Sequence, residues 1–258
     1  MKVNYHTHTS RCKHAKGTER EYVEAAIANG FQTLGFADHT PYPYSDEYHH
    51  EARMSMHELE SYVNTVLSLK KEYEKDIDIH LGLEVEYFPQ FFDQLVKETS
   101  QYPIEYFLLA QHYLGNGKIG DYISGKPTTD PAILAEYCDL LHKGVETGRF
   151  TYLAHPDLIH FLGDEAVYDQ YMRKLCRTAN AHHMPVEINF LGIFENRLYP
   201  RDAFWKIAGE EKCEVVLGLD AHNAKTFEYQ ACYEKALALV RKYNLNLLED
   251  ITLKNPFF

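Results

Sequence analysis

The chain reads as an α/β protein folded as one parallel barrel of about seven strand–helix units. Three observations predict this. Short apolar runs alternate with longer stretches of helical period along the whole chain. No linker, internal repeat or low-complexity tract divides it, and 258 residues suit a single barrel domain spanning 1–258. Histidines and carboxylates recur where the apolar runs stop, as expected if strand ends share one rim. A doubly wound open sheet is the main alternative.

The elements follow in order. Val3–Thr7 is a strand, and Glu19–Asn29 a helix stopped by Gly30. Thr33–Ala37 is a strand, Ser55–Tyr73 carries helix-spaced apolar residues, and Ile77–Val85 alternates as a strand before Pro89 ends it. A helix near Gln90–Ser100 and a strand at Tyr106–Gln111 lead to a loop bearing Gly115, Gly117 and Gly120, which reads as a lid. Asp130-Pro131 places an N-cap before a first-turn proline and starts a helix running to Thr147 and Gly148. Then come strand Thr151–Ala154, helix Glu165–His182, strand Val186–Phe190, helix Asp202–Gly209, strand Glu214–Gly218 and helix Thr226–Tyr243.

Composition narrows the function. A formal net charge of −12 disfavours nucleic acid and anionic membrane as partners, since both need clustered Lys and Arg. A small anionic substrate stays open, because bound cations reverse the local field in a cleft. No apolar run approaches the ~18 residues of a membrane span, and Met1-Lys2-Val3-Asn4 does not resemble a signal sequence, so a cytoplasmic protein is expected. The five cysteines are scattered without a Cys-x-x-Cys pair and read as reduced packing residues, with Cys12 close to a histidine cluster.

That cluster begins at His6-Thr7-His8. In a strand, residues two apart share a face, so this pair can reach one cation. His14 follows six residues after His8, and His39, Glu84, His112, His155, Asp220 and His222 each fall at or just beyond the end of a predicted strand. Imidazole suits zinc, iron or manganese, and a carboxylate can bridge two ions. Nine such positions exceed one tetrahedral site and suffice for two or three cations. Paired cations lower the pKa of water to about 7 and neutralise a phosphoryl group, so the pattern points to hydrolysis of a phosphate ester.

Taken together, His-Thr-His at 6–8, Cys12-Lys13-His14-Ala15, Asp38-His39, Gly82-Leu83-Glu84, Gln111-His112, Ala154-His155-Pro156 and Gly218-Leu219-Asp220-Ala221-His222 resemble the PHP family, named for polymerase and histidinol phosphatase domains. Arg53-Met54-Ser55, Gly82-Leu83-Glu84-Val85-Glu86-Tyr87 and Glu187-Ile188-Asn189 narrow the resemblance to stand-alone histidinol-phosphatases of histidine biosynthesis. The resemblance implies a distorted, TIM-like (β/α)7 barrel with three divalent cations, zinc, iron or manganese. His6, His8, Glu84 and Asp220 would hold the first; Glu84 would bridge to the second, completed by His112 and His155; His14, His39 and His222 would hold the third. The activity implied is release of phosphate from L-histidinol phosphate by a hydroxide held between two cations, with Glu84 and Asp220 central to it. Arg197 is the first choice for a phosphate fork and Arg53 the second. Glu86 and Asp157 are the expected partners of the substrate's amino or imidazole groups.

Blander readings stand beside these. Asp38-His39 can cap a turn before Pro41, and His155-Pro156 can simply stop a strand. His49, His50, His57, His80, His142, His160, His182 and His183 lack rim placement and read as surface or structural. Within the family the competing activity is phosphotyrosine or nucleotide dephosphorylation. An amidohydrolase would share the opening His-x-His but bring a later lysine ligand, which is not evident. A non-enzymatic module attached to a polymerase is the third option.

Overall fold

Eight parallel strands lie side by side in chain order and curl into a barrel, as a computed structural model describing residues 1–44, 48, 50–118 and 120–258 shows. The predicted His49 lies outside the described residues. The strands are β1 (Val3–Asn4), β2 (Thr33–His39), β3 (Asp78–Glu86), β4 (Tyr106–Ala110), β5 (Tyr152–Leu153), β6 (Val186–Asn189), β7 (Glu214–Gly218) and β8 (Asn246–Leu247). The helices are α1 (Glu19–Ala28), α2 (Met56–Glu72), α3 (Phe92–Thr99), α4 (Pro131–Glu146), α5 (Glu165–Ala181), α6 (Phe190–Phe194), α7 (Asp202–Glu210) and α8 (Gln230–Tyr243).

Local chemistry sets the helix starts. Thr18 and Glu21 form a reciprocal capping box on α1. Asp130 accepts from Ala132 N ahead of Pro131 on α4, and Asp164 accepts from Ala166 N on α5.

Each strand sorts its residues by parity. Leu34 and Phe36 on β2, Ile79, Leu81, Leu83 and Val85 on β3, and Phe107 and Leu109 on β4 pack outward under the helices. Ala37, Tyr106, Leu108, Ala110, Tyr152 and Val216 fill the barrel with Tyr5. Tyr106 crosses the interior, and its hydroxyl donates to Tyr5 O at 2.7 Å and Phe36 O at 3.1 Å. A Cβ on Gly35 or Gly82 would overlap that ring, so both glycines are there for close approach.

The first strand is shorter than expected. After Asn4 the backbone leaves β geometry, and one bridge, Thr7 to Ala221, joins it to the segment after β7. His8 N donates to Ala221 O at 2.9 Å, and Ala221 N donates to His6 O at 3.2 Å. Asn4 clasps the same seam: its Oδ1 accepts from Leu219 N at 2.8 Å while its Nδ2 donates to Thr7 Oγ1 at 2.8 Å. Seven strands thereby close at the C-terminal rim. At the other rim β7 pairs instead with the unanticipated β8, and among the described residues β8 has no pairing to β1. The short α6 was also not anticipated. The expected last helix divides into a 3-10 turn, Ala224–Phe227, followed by α8.

The glycine-bearing segment after β4 folds as a small hairpin, with Tyr113 bridged to Ile123 and Ser124 N donating to His112 O at 2.8 Å. Tyr44 OH donates to Gly117 O at 2.8 Å. Among the described residues, no helix is long and apolar enough to cross a membrane. All five cysteines are free and buried.

Candidate metal centre

Every one of the nine predicted histidines and carboxylates reaches the closed rim. Glu84, inward on β3 and buried, is the hub. Its Oε1 lies 2.9 Å from His155 Nε2, 3.4 Å from His6 Nε2 and 3.7 Å from His112 Nε2. Its Oε2 lies 2.6 Å from His39 Nδ1 and 3.7 Å from His8 Nε2. Asp220 Oδ1 stands 3.0 Å from His8 Nε2, 3.3 Å from His222 Nδ1 and 3.6 Å from His6 Nε2. His14 Nε2 is 3.0 Å from His222 Nε2.

These side chains form overlapping groups whose ligand atoms all fall within 4.8 Å of one another: His6, His8 and Glu84; His6, His155 and Asp220; His39, Glu84 and His112; His14, His39 and His222. A further group joins Cys12 to His8 and His222. The Cys12 sulfur accepts from Ala15 N at 3.2 Å, and burial pushes its thiol up to about 12. It remains a packing residue that happens to face the rim.

Four buried atoms in the cluster, His6 Nε2, His8 Nε2, Glu84 Oε2 and Asp220 Oδ1, make no well-directed hydrogen bond, although Glu84 Oε2 lies close to His39 Nδ1 and Asp220 Oδ1 close to His8 Nε2. Unpartnered buried polar atoms are costly, at about 1–3 kcal/mol each, and persist where something else satisfies them. Their donor set of imidazole and carboxylate fits divalent transition-metal ions.

A second layer aims the rings. His6 Nδ1 lies 2.8 Å from Glu187 Oε1, and His8 Nδ1 lies 3.3 Å from Asp38 Oδ1. Backbone carbonyls do the same work for the outer pair: Cys12 O is 2.7 Å from His14 Nδ1, and Asp220 O is 3.0 Å from His222 Nδ1. With Nδ1 engaged, each Nε2 is presented to the centre. Asp38 is itself tied down by Thr9 Oγ1 and by His39 N.

Glu187 was missed as a site residue by sequence reasoning. Its four contacts explain its burial: His6 Nδ1, Tyr152 OH at 3.2 Å, His155 N at 3.1 Å and Asn189 Nδ2 at 2.9 Å. Asn189 Nδ2 also donates to Asp220 Oδ2 at 3.0 Å. A Cβ on Gly218 would overlap Glu187 Oε1, so the glycine of Gly-Leu-Asp-Ala-His makes room for that carboxylate. The available signal was the Glu187-Ile188-Asn189 motif, an acid and an amide in a four-residue buried strand.

Two of the nine positions are held in left-handed backbone, Asp220 at φ 50° and His155 at φ 29°. For non-glycine residues this costs on the order of 1–3 kcal/mol and gathers at functional sites.

The electrostatics follow from crowding. Burial would lower His6, but Glu187, Asp220 and Glu84 outweigh it and hold the imidazole well above its usual value. His8 is likewise raised, against burial, to about 9 by Asp220 and Asp38. Burial keeps His39 well below the usual value, His112 at about 4 and His222 at about 3, leaving neutral lone pairs. Burial would raise Glu84, yet His112, His39 and His6 reverse this, and Asp220 is depressed in the same way by His6 and His8. Both stay ionised.

The expected substrate residues are placed differently. Arg197 is half exposed, with Nε donating to Glu195 Oε2 at 2.7 Å and Nη1 to Tyr199 OH at 3.1 Å. The Tyr199 ring is 5.9 Å from that of His155, so this arginine stands beside the rim. Arg53 is buried between the Tyr42 and Tyr113 rings and donates to Glu86 Oε2 at 2.5 Å. Glu86 Oε1 accepts from His112 N and Tyr113 N, both at 2.7 Å. The two residues are thus each other's partners and brace the backbone of His112. Asp157 Oδ2 accepts from Arg201 N at 2.6 Å and Trp205 Nε1 at 3.0 Å, which commits that oxygen to the start of α7.

Residues 4–190 match the model of the PHP domain. Over 223 residues the chain is 27% identical to a protein of Deinococcus radiodurans described as a probable histidinol-phosphatase, covering 84% of this chain and 85% of that protein. It is 25% identical over 267 residues to the histidinol-phosphatase of Bacillus subtilis, covering 91% and 99%. Its fold matches the crystal structure of histidinol phosphate phosphatase from Lactococcus lactis, solved with zinc, L-histidinol and phosphate, at a TM-score of 0.74 and 20% identity over 97% of both chains. With the family model covering most of its length and its strand ends carrying the full set of rim residues, the chain belongs to the PHP domain family.

Proposed function

We propose that the protein is a metal-dependent phosphatase that hydrolyses L-histidinol phosphate to L-histidinol and inorganic phosphate, as its relatives are named for doing. The observation that carries this is the overlap of two buried ligand groups at His6, one of His6, His8 and Glu84 and one of His6, His155 and Asp220, each with its ligand atoms within 4.8 Å of one another. His6, His8, Glu84 and Asp220 would hold one divalent ion, Glu84 with His112 and His155 a second, and His14, His39 and His222 a third. Bound divalent cations activate water near neutral pH and neutralise the transferring phosphoryl group.

The protein's own groups do the rest. Glu84 and Asp220, kept ionised by the surrounding imidazoles, supply fixed negative charge that retains cations between turnovers. Glu187 and Asp38 hold His6 and His8 in one ring orientation, so no reorganisation is needed when substrate binds. Arg197, steadied by Tyr199, offers a planar fork for phosphate oxygens. Arg53 and Glu86 act one step back, setting the position of His112 rather than touching substrate.

The deciding experiment compares phosphate release from L-histidinol phosphate, p-nitrophenyl phosphate and nucleoside monophosphates by protein of measured metal content. Preference for L-histidinol phosphate by kcat/KM, lost on chelation and restored by zinc, iron or manganese, is the expected result. A preference for another ester overturns the substrate assignment, and full activity without metal overturns the mechanism.

A further inference from the structure

Breaking a phosphate ester leaves an alcohol oxygen that needs a proton, and one buried hydroxyl at the rim has a proton to give. Tyr199 lies between α6 and α7, with its ring 5.9 Å from that of His155. A Cβ on Gly192 would overlap the ring, so the backbone of α6 packs directly on it. Tyr199 is 5% exposed, beside 3% for Asp220 and 1% for His155, which makes it part of the same enclosed wall.

The hydroxyl is met by a group that can only donate. Arg197 Nη1 donates to the Tyr199 oxygen at 3.1 Å, and a guanidinium has no acceptor. The Tyr199 proton is therefore turned away from Arg197 and, among the described residues, has no acceptor. Other buried tyrosines show the usual arrangement: Tyr42, Tyr62, Tyr106 and Tyr137 donate to backbone carbonyls, and Tyr152 donates to Glu187. Tyr168 also lacks a partner, but it belongs to the core beneath α5, with the Arg201 guanidinium 3.8 Å from its ring centre. Leaving a buried donor unmatched is costly, and beside a reaction site such a group is kept for a ligand.

We propose that Tyr199 donates the proton to the leaving alcohol oxygen, an assignment that rests on the phosphatase reading. A water oxygen joins phosphorus, the ester P–O bond breaks with its electron pair on the alcohol oxygen, and the Tyr199 proton passes to that oxygen to give the free alcohol. The phenolate, facing the Arg197 guanidinium, takes back the proton that the attacking water released. A phenol suits the task, because its ordinary pKa of about 10 keeps it protonated at neutral pH. Competing groups are engaged elsewhere: Arg53 is held by Glu86, and Asp157 accepts from Arg201 N and Trp205 Nε1.

The test sets two leaving groups against each other in Tyr199→Phe, which keeps the ring that packs on Gly192. L-histidinol phosphate releases a basic alkoxide that needs the proton, whereas p-nitrophenyl phosphate releases a phenolate that is stable at neutral pH. The variant should lose about 100-fold in kcat/KM on L-histidinol phosphate and less than about threefold on p-nitrophenyl phosphate, with bound metal and circular dichroism unchanged. Equal losses on the two esters overturn the proposal, since the hydroxyl would then serve only to steady Arg197. Undiminished turnover of L-histidinol phosphate also overturns it, as does a fall in bound metal, which would make the hydroxyl a support of the centre. The parent's choice between esters judges the substrate, and the ratio of variant to parent on each ester judges Tyr199, so the two failures are told apart. If the parent prefers another alkyl phosphate, that ester replaces L-histidinol phosphate in the same comparison; a parent inert towards every phosphate monoester overturns both assignments.

Discussion

One inward face of β3 carries His80 near one end and Glu84 near the other, roughly 13 Å apart at four residues of strand rise. Both belong to histidine–carboxylate contacts, and the two contacts differ in kind. At the lower end His80 Nδ1 meets Glu105 Oε2 at 2.7 Å and its Nε2 meets Asp78 Oδ2 at 3.0 Å, while Lys70 Nζ completes Glu105 at 2.8 Å. Every strong group there has a partner. At the upper end Glu84 has five imidazoles around it, and lone pairs are still left over. A histidine beside a glutamate is therefore a structural ion pair or a cation site according to whether the hydrogen-bond inventory closes.

The largest expected effect lies at the open inventory. Glu84→Gln should reduce kcat/KM by about 10³-fold or more, since it removes charge shared by two proposed ions, and should lower bound metal measured by elemental analysis. Activity within tenfold of the parent would erase the distinction between the two ends. Glu187→Ala tests the supporting layer: about 10–100-fold loss in metal affinity or turnover is expected, with the fold retained by circular dichroism. Arg197→Ala should cost about tenfold in kcat/KM for a phosphate monoester, and an unchanged value removes it from the pocket.

The smallest effect is at the closed end. Glu105→Gln should leave turnover unaltered and cost no more than about 1 kcal/mol of stability, because the pair is partly exposed. Against its partial burial, hydrogen bonds from His80 and Lys70 lower Glu105 to about 2, whereas Glu105 raises His80. The Glu105 contribution is full above its ordinary value of 4.5 and fades as pH falls towards 2. The His80 contribution is full below 6.5 and fades as pH rises through its raised value. The Tm difference between parent and variant should therefore be widest between pH 4.5 and 6.5. A difference that keeps growing above pH 8 would contradict this assignment.

The contrast also explains what the sequence could reveal. His6, His8, Asp220 and His222 stood out because they come in strand-spaced pairs at the ends of apolar runs, a pattern with little structural purpose. Glu187 stood out only within Glu187-Ile188-Asn189 as a point of resemblance and without a role, since one acid inside Val186–Asn189 carries no spacing, and its room comes from Gly218 on the neighbouring strand. Arg53 and Glu86 were read as substrate contacts, and their pairing with each other, 33 residues apart, is invisible before the chain folds. The barrel order was legible from alternation, but β8 and α6, at two and five residues, are too short to leave a period. The early end of β1 escaped notice because Tyr5 and His6 look like strand residues.

The single bridge from Thr7 to Ala221 has a temporal consequence. It joins positions more than two hundred residues apart, and the proposed first ion draws on both sides of that seam. A ribosome-bound chain that has not yet reached Asp220 holds the residues of the proposed second site, Glu84, His112 and His155, but lacks the fourth side chain of the first. The proposed first site is thus completed after the second, because it waits for residues from both ends of the chain.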